Sequence, residues 1–204
     1  MRLFTAIEIP TEVGRALERL RGGVQSARWI DRDNYHLTLS FIGDVDARKA
    51  ADIDAALADI IRTGFELRLD RVGVFGGDRP RALWAGVNRE PALHDLQAEI
   101  AWALTRVGAR PDGRKFTPHV TLARLKGADA GGVASWLSRH GDYRSPPFDV
   151  ARFVLFSSRP SKGGGPYVIE RVYPLATPWA DYEFDDDYGA DLEDGTAGSV
   201  VRAW

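Results

Sequence analysis

The chain has 204 residues, with 27 Lys plus Arg against 29 Asp plus Glu, four His and no Cys, and with 44% hydrophobic and 10% aromatic content, which suits one large or two small globular domains. Without cysteine there is no disulfide framework, no thiolate nucleophile and no Cys-based zinc or iron–sulfur site, so any chemistry rests on histidine, carboxylates, hydroxyls or a bound cofactor. Pro10 and Glu12 interrupt the N-terminal stretch before a signal-length apolar run accumulates, and no 18-residue uncharged stretch occurs, so a cytoplasmic protein is expected, neither secreted nor membrane-spanning.

Arg2 to Ile9 is the first strand candidate. Thr11 follows Pro10 as the expected N-cap of a helix whose apolar side is Val13, Leu17, Leu20 and Val24, closed by Gly22 and Gly23. Asp46 is placed to cap a second helix with Ile53, Leu57, Ile60 and Ile61 on one side and Gly64 as its stop. A third helix is predicted from Pro91, with Leu93, Leu96, Ile100, Leu104 and Val107 on one stripe before Gly108. Strands are expected at Glu66 to Phe75, Arg81 to Val87, Arg152 to Ser157 and Tyr167 to Leu175. The apolar period switches repeatedly between 2 and 3.6 and no long apolar strand of the doubly wound type occurs, so an α+β arrangement with antiparallel sheets is expected.

Two stretches stand apart. Ser161 to Pro166, SKGGGP, joins two strand candidates either as a plain hairpin loop or as a mobile loop over a ligand. The net charge of -2 divides into about -7 from Ala180 to Trp204 and +5 over the rest. The tail therefore has the composition of a loosely attached segment, either shielding a basic cleft or solubilising the protein, and the mildly basic body permits an anionic substrate.

The informative feature is an internal echo: Tyr35-His36-Leu37-Thr38-Leu39 and Pro118-His119-Val120-Thr121-Leu122. With nine Thr in the chain, two of four His carrying Thr at +2 by accident has odds on the order of one in a hundred, before the matching Leu is counted. On strands, His36 and Thr38 share one face while Tyr35, Leu37, Leu39 and Phe41 line the other; His119 and Thr121 share a face while Val120 and Leu122 take the core. Two such strands would set two imidazoles and two hydroxyls around one cavity. Histidine titrates near neutrality, so one of a pair can accept a proton while the other donates one. That division suits in-line displacement at phosphorus, with hydroxyls and a cation steadying the equatorial oxygens. A cyclic phosphodiester is the natural substrate, and the mechanism needs no metal.

Paired H-x-T-x tetrapeptides about eighty residues apart in a cysteine-free chain of this length resemble the two-histidine phosphoesterase superfamily. The stretches NYHLTLSFIGD from Asn34 to Asp44, RPRALWAG from Arg79 to Gly86 and FTPHVTLAR from Phe116 to Arg124 are similar to its bacterial branch, the RNA 2',3'-cyclic phosphodiesterases historically called 2'-5' RNA ligases. The resemblance spans residues 1–178, read as one two-lobed domain, and leaves residues 179–204 as an acidic tail. It implies a bilobal α+β fold of two similar lobes, each of antiparallel sheet with packed helices, and an active cleft between them. It further implies His36 as proton donor, His119 as proton acceptor, and Thr38 and Thr121 as holders of phosphate oxygens. The implied reaction hydrolyses a terminal 2',3'-cyclic phosphate to a 2'-phosphate, with 2'-5' ligation as its reverse type.

The resemblance also places an arginine at Arg124, although strict alternation would point it away from His119, so a bulge or strand end is required for a substrate role. Phe41 and Trp29 could stack on a base, but core packing is the expected role of both. His94 is expected in solvent and His140 at a helix C-terminus that favours a cation. Neither tetrapeptide carries an acidic residue, so a His-based zinc site is disfavoured and no metal or cofactor is expected. The expected partners are RNA ends or nucleotides bearing a 2',3'-cyclic phosphate, with no membrane, no obligate protein partner and a monomeric state. The alternatives are another two-histidine activity, on a different cyclic phosphate or on 2'-5' oligonucleotides, and a non-catalytic module that binds RNA ends.

Overall fold

A computed structural model describes residues 1–110, 113–158 and 167–177; the SKGGGP connection and the acidic tail lie outside the described residues. Ten strands and four helices follow one another in these residues: β1 (Arg2–Glu8), α1 (Thr11–Glu18), β2 (Ala27–Trp29), β3 (His36–Asp44), α2 (Ala47–Ala58), β4 (Phe65–Leu67), β5 (Leu69–Phe75), β6 (Ala82–Val87), α3 (Pro91–Arg106), β7 (His119–Leu125), α4 (Ala130–His140), β8 (Phe148–Val150), β9 (Arg152–Ser158) and β10 (Tyr167–Pro174). The α+β class with antiparallel sheets is as expected.

Eight strands form one antiparallel sheet in the order β10-β9-β1-β3-β7-β6-β5, with β2 added to β7, and β4 pairs with β8 in a separate ribbon. The sheet has two halves, each containing one of the two echo strands: β3 with β1, β9 and β10, and β7 with β6, β5 and β2. They are joined at a single residue pair, Leu37 opposite Val120. The two lobes are therefore halves of one sheet that part on either side of that pair.

One face of the sheet is covered by helices. Leu3, Ile7, Leu37, Leu83, Ala85 and Val120 point into a core completed by Leu17 of α1, Ile53 and Leu57 of α2, Leu93, Leu96, Ile100 and Leu104 of α3, and Val133 and Trp136 of α4. This is the burial of an apolar strand face against apolar helix stripes that the periodicity calls for. Trp136 is fully enclosed and its indole N–H donates to the Leu20 carbonyl at 2.8 Å. The opposite face of the β1–β9–β10 half carries a second, smaller cluster of Phe4, Ala6, Val154 and Phe156, with Tyr167 packed on it.

Helix starts and stops show where local signals hold. Asp46 caps α2 through its carboxylate, which accepts from the Lys49 N–H at 2.7 Å, and Asp129 does the same for α4 at Gly132, at 2.8 Å. Thr11, by contrast, is the first helical residue rather than the cap. The extended Pro10 precedes it and accepts the first helical hydrogen bond from Gly14. Helix α2 ends at Ala58, so Ile60 is still buried but Ile61, three residues past that end, is 86% exposed. The strand expected at Glu66 to Phe75 is two strands, because β4 leaves to pair with β8 and Arg71 takes a left-handed conformation at a register shift in β5.

Leu37 has no exposed surface and lies where the two halves join. Leu37→Ala is expected to cost about 3 kcal/mol of stability by transfer and cavity terms, while Phe41→Ala, at a half-exposed site, is expected to cost about 0.5 kcal/mol or less. Urea denaturation midpoints of the two variants measure the contrast.

Candidate active site

The pair that joins the halves consists of the middle residues of the two echoes. Opposed residues of an antiparallel pair share a face and their neighbours share the other. With Leu37 and Val120 both fully buried in the helix-side core, His36, Thr38, His119 and Thr121 all stand on the open face. The two motifs are related by a local two-fold axis through Leu37 and Val120.

Both imidazoles are held the same way. The Nδ1–H of His36 donates to the Asn34 carbonyl at 2.8 Å, and that of His119 to the Thr117 carbonyl at 2.7 Å. A carbonyl oxygen only accepts, so each ring carries its proton on Nδ1 and leaves Nε2 to accept when neutral or donate when charged. Among the described residues, the hydroxyls of Thr38 and Thr121 have no hydrogen-bond partner, and the guanidinium of Arg124 has neither ion pair nor hydrogen bond.

The placement of Arg124 depends on a bulge. Along β7, Thr121 lies opposite Trp84 but Ala123 lies opposite Leu83, so Leu122 is an extra residue. Alternation resets there: Ala123 turns into the core, fully buried, and Arg124 comes out on the face of His119 and Thr121. The same event occurs in β3. Thr38 lies opposite Ala6 and Ser40 opposite Thr5, making Leu39 the extra residue, so Ser40 is buried and Phe41 lies opposite Phe4. Phe41 thus shares the face of His36, is 51% exposed, and has its ring 5.8 Å from that of Phe4. Core packing, expected for Phe41 from strict alternation, is overturned by this bulge. Trp29 does pack on the helix side, its ring 6.1 Å from Trp136.

The two-fold equivalence of the histidines stops at their surroundings. His36 is packed among Phe4, Phe156 and Tyr167, with ring centroids at 5.1, 6.0 and 4.8 Å, and burial, with the nearby His119 and Arg124 charges, pushes its pKa down to about 4 against the pull of its Asn34 hydrogen bond. His119 meets Phe75 at 4.8 Å, and burial lowers its pKa too, opposed by the Thr117 carbonyl. Phe75 in turn packs on Trp84 at 5.3 Å, and Trp84 covers Gly73 so closely that a Cβ there would collide with its ring.

Sequence reasoning missed these aromatic neighbours. The available signal was β1 itself: RLFTAIE is apolar on both parities, which marks a central strand with both faces covered. His94 is exposed, as expected, with its ring against Phe116. His140 does end α4, where burial and the neighbouring Arg139 charge lower its pKa. No group of three His, Cys, Asp or Glu suited to a metal ion occurs among the described residues, and no described helix is long and apolar enough to cross a membrane.

The family model of the 2'-5' RNA ligase superfamily matches residues 9–161. The chain belongs to this superfamily. Among relatives of this superfamily member, the RNA 2',3'-cyclic phosphodiesterase of Aeropyrum pernix is 35% identical over 162 residues, covering 76% of this chain and 92% of the relative. That of Geobacillus stearothermophilus is 35% identical over 166 residues and 78% of this chain, which spans about half (52%) of that relative's length. Escherichia coli LigT, solved in apo form, superposes with a TM-score of 0.71 at 27% identity over 86% of this chain and 97% of LigT. Its complex with 3'-AMP gives 0.69 at 26% identity over 85% and 97%.

A histidine held neutral in the fold binds fewer protons than in the unfolded chain between pH 6.5 and 4, so His36 makes stability fall as pH drops through that window. The full effect is roughly 3 kcal/mol at and below pH 4. His36→Asn is expected to lose less stability than wild type between pH 6.5 and 4, read from denaturation curves at each pH.

Proposed function

We propose that this chain is an RNA 2',3'-cyclic phosphodiesterase that hydrolyses a terminal 2',3'-cyclic phosphate to a 2'-phosphomonoester, with His36 as proton donor and His119 as proton acceptor. The observation that carries the reading is the convergence, on one open face, of the His36 and His119 imidazoles with the Thr38 and Thr121 hydroxyls and the Arg124 guanidinium, the last three without a partner among the described residues. The naming of the relatives as RNA 2',3'-cyclic phosphodiesterases supports the substrate class.

The phosphate sits between the two imidazoles. His119 Nε2 takes a proton from water as its oxygen attacks phosphorus, the bond from phosphorus to the 3' oxygen breaks, and His36 Nε2 gives its proton to that oxygen. Thr38, Thr121 and Arg124 hold the non-bridging oxygens, whose negative charge they meet in the transition state. The step draws only on water and the two histidines, and proton exchange with solvent restores them. Half-exposed Phe41, on the same face, is a platform for the terminal base.

Burial makes protonated His36 a strong acid, and an anionic phosphate beside it favours that form. In the free protein the productive pair, charged His36 with neutral His119, is a minority form. The profile of kcat/KM against pH is therefore expected to be bell-shaped with its maximum below pH 6.5, while kcat peaks at higher pH. Both profiles are measured with a nucleoside 2',3'-cyclic phosphate in EDTA, products resolved as 2' or 3' isomers. Wild type that binds the nucleotide without releasing the 2'-phosphate is a binding module, not this enzyme.

His36→Ala and His119→Ala are each expected to lower kcat at least about 100-fold while leaving a folded protein, checked by the same assay with circular dichroism. Phe41→Ala is expected to raise KM about tenfold with little change in kcat.

A further inference from the structure

Strand β2 fills the edge of β7 that β3 leaves free beyond the Leu37–Val120 pair. Its three residues face Ala123 to Leu125, which puts Arg28 directly opposite Arg124. Ala27 and Trp29 on either side pack against the helix-side core, so Arg28 points to the open face, and both arginines are exposed. Among the described residues neither guanidinium forms an ion pair or a hydrogen bond. Like charges directly opposed across a strand pair are unfavourable. Two acids elsewhere on the sheet are engaged with other arginines, Glu8 with Arg152 and Asp70 with Arg144.

A cyclic phosphate carries one negative charge, and Arg124 with a protonated imidazole already sets two positive charges against it. The second guanidinium therefore has nothing to do for the scissile group. On the other side of Arg124, β6 offers only Ala82, so across the sheet Arg28 is the cation directly paired with Arg124.

We propose that Arg28 is a specificity residue that binds the phosphodiester on the 5' side of the terminal nucleotide, so that the site prefers an oligoribonucleotide end over a free cyclic mononucleotide. This rests on the reading of the site as acting on 2',3'-cyclic phosphate ends. Each phosphate contact by a cation adds about one unit to the salt slope of binding, and Arg28 supplies one that a mononucleotide cannot use.

The test compares wild type, Arg28→Gln and Arg28→Lys on a nucleoside 2',3'-cyclic phosphate and on a tetraribonucleotide ending in the same group. Arg28→Gln is expected to lower kcat/KM on the tetranucleotide about tenfold, through KM, and on the mononucleotide less than twofold. Arg28→Lys is expected to recover most of the loss, since a single point charge suffices. The salt slope of log KM for the tetranucleotide is expected to fall by about one in Arg28→Gln. Equal losses on both substrates, or no loss on either, overturn the proposal. Relief of the like-charge pair predicts a Tm for Arg28→Gln at or above wild type, which identifies a folding defect separately. Fluorescence anisotropy with a labelled tetranucleotide ending in a 2'-phosphate reads the Arg28 contact without turnover. A wild type inactive on every cyclic phosphate, yet losing affinity for this probe on Arg28→Gln, refutes the hydrolase reading and leaves the contact standing; an unchanged affinity refutes the contact.

Discussion

One residue pair governs the molecule. Leu37 and Val120 sit opposite each other, fully buried, at the only paired position between β3 and β7 among the described residues. They are apolar because the helices beneath the sheet demand it, and they are the centres of two His-x-Thr echoes. Antiparallel pairing through those centres brings all four polar side chains to the opposite face with two-fold symmetry. A one-residue slip of either strand would turn its histidine and threonine into the core, so the same register that seals the hydrophobic core also assembles the site. The parting of the strands beyond that pair leaves room for β2 on the edge of β7.

Around that centre, symmetry repeats in a second device. Each echo strand inserts an extra leucine, Leu39 or Leu122, immediately after its threonine. The following small residue, Ser40 or Ala123, then turns into the core, and the residue after it, the sixth counted from each histidine, emerges on the histidine face. In one strand that residue is Phe41 and in the other Arg124. Equivalent backbone events thus deliver an aromatic ring from one half and a cation from the other, which suits an end group made of a base and a phosphate.

Environment then breaks the symmetry where chemistry needs it broken. The imidazole hydrogen bonds are alike, but three aromatic rings close around His36 and one ring meets His119. Burial of the charged form is the largest effect on both histidines, and for His36 the positive charges of His119 and Arg124 add to it. Two chemically identical side chains on identical backbone settings therefore differ in how willingly they carry a proton, the condition for assigning them different work.

By itself the sequence determined the fold class, the helices that follow Asp46 and Pro91, and the identity of the four polar residues, because these depend on local periodicity, capping chemistry and a repeat that chance does not explain. It also made a bulge or a strand end the condition for a substrate role at Arg124, and the register against β6 decides for the bulge. The role of Phe41 was misread from that same alternation, because a bulge is visible only in the register against the neighbouring strand. The aromatic surroundings of His36, the position of Arg28 opposite Arg124 and the difference between the histidines were decided by tertiary structure alone. Each depends on which strands become neighbours across long stretches of chain, and on the water removed when they do.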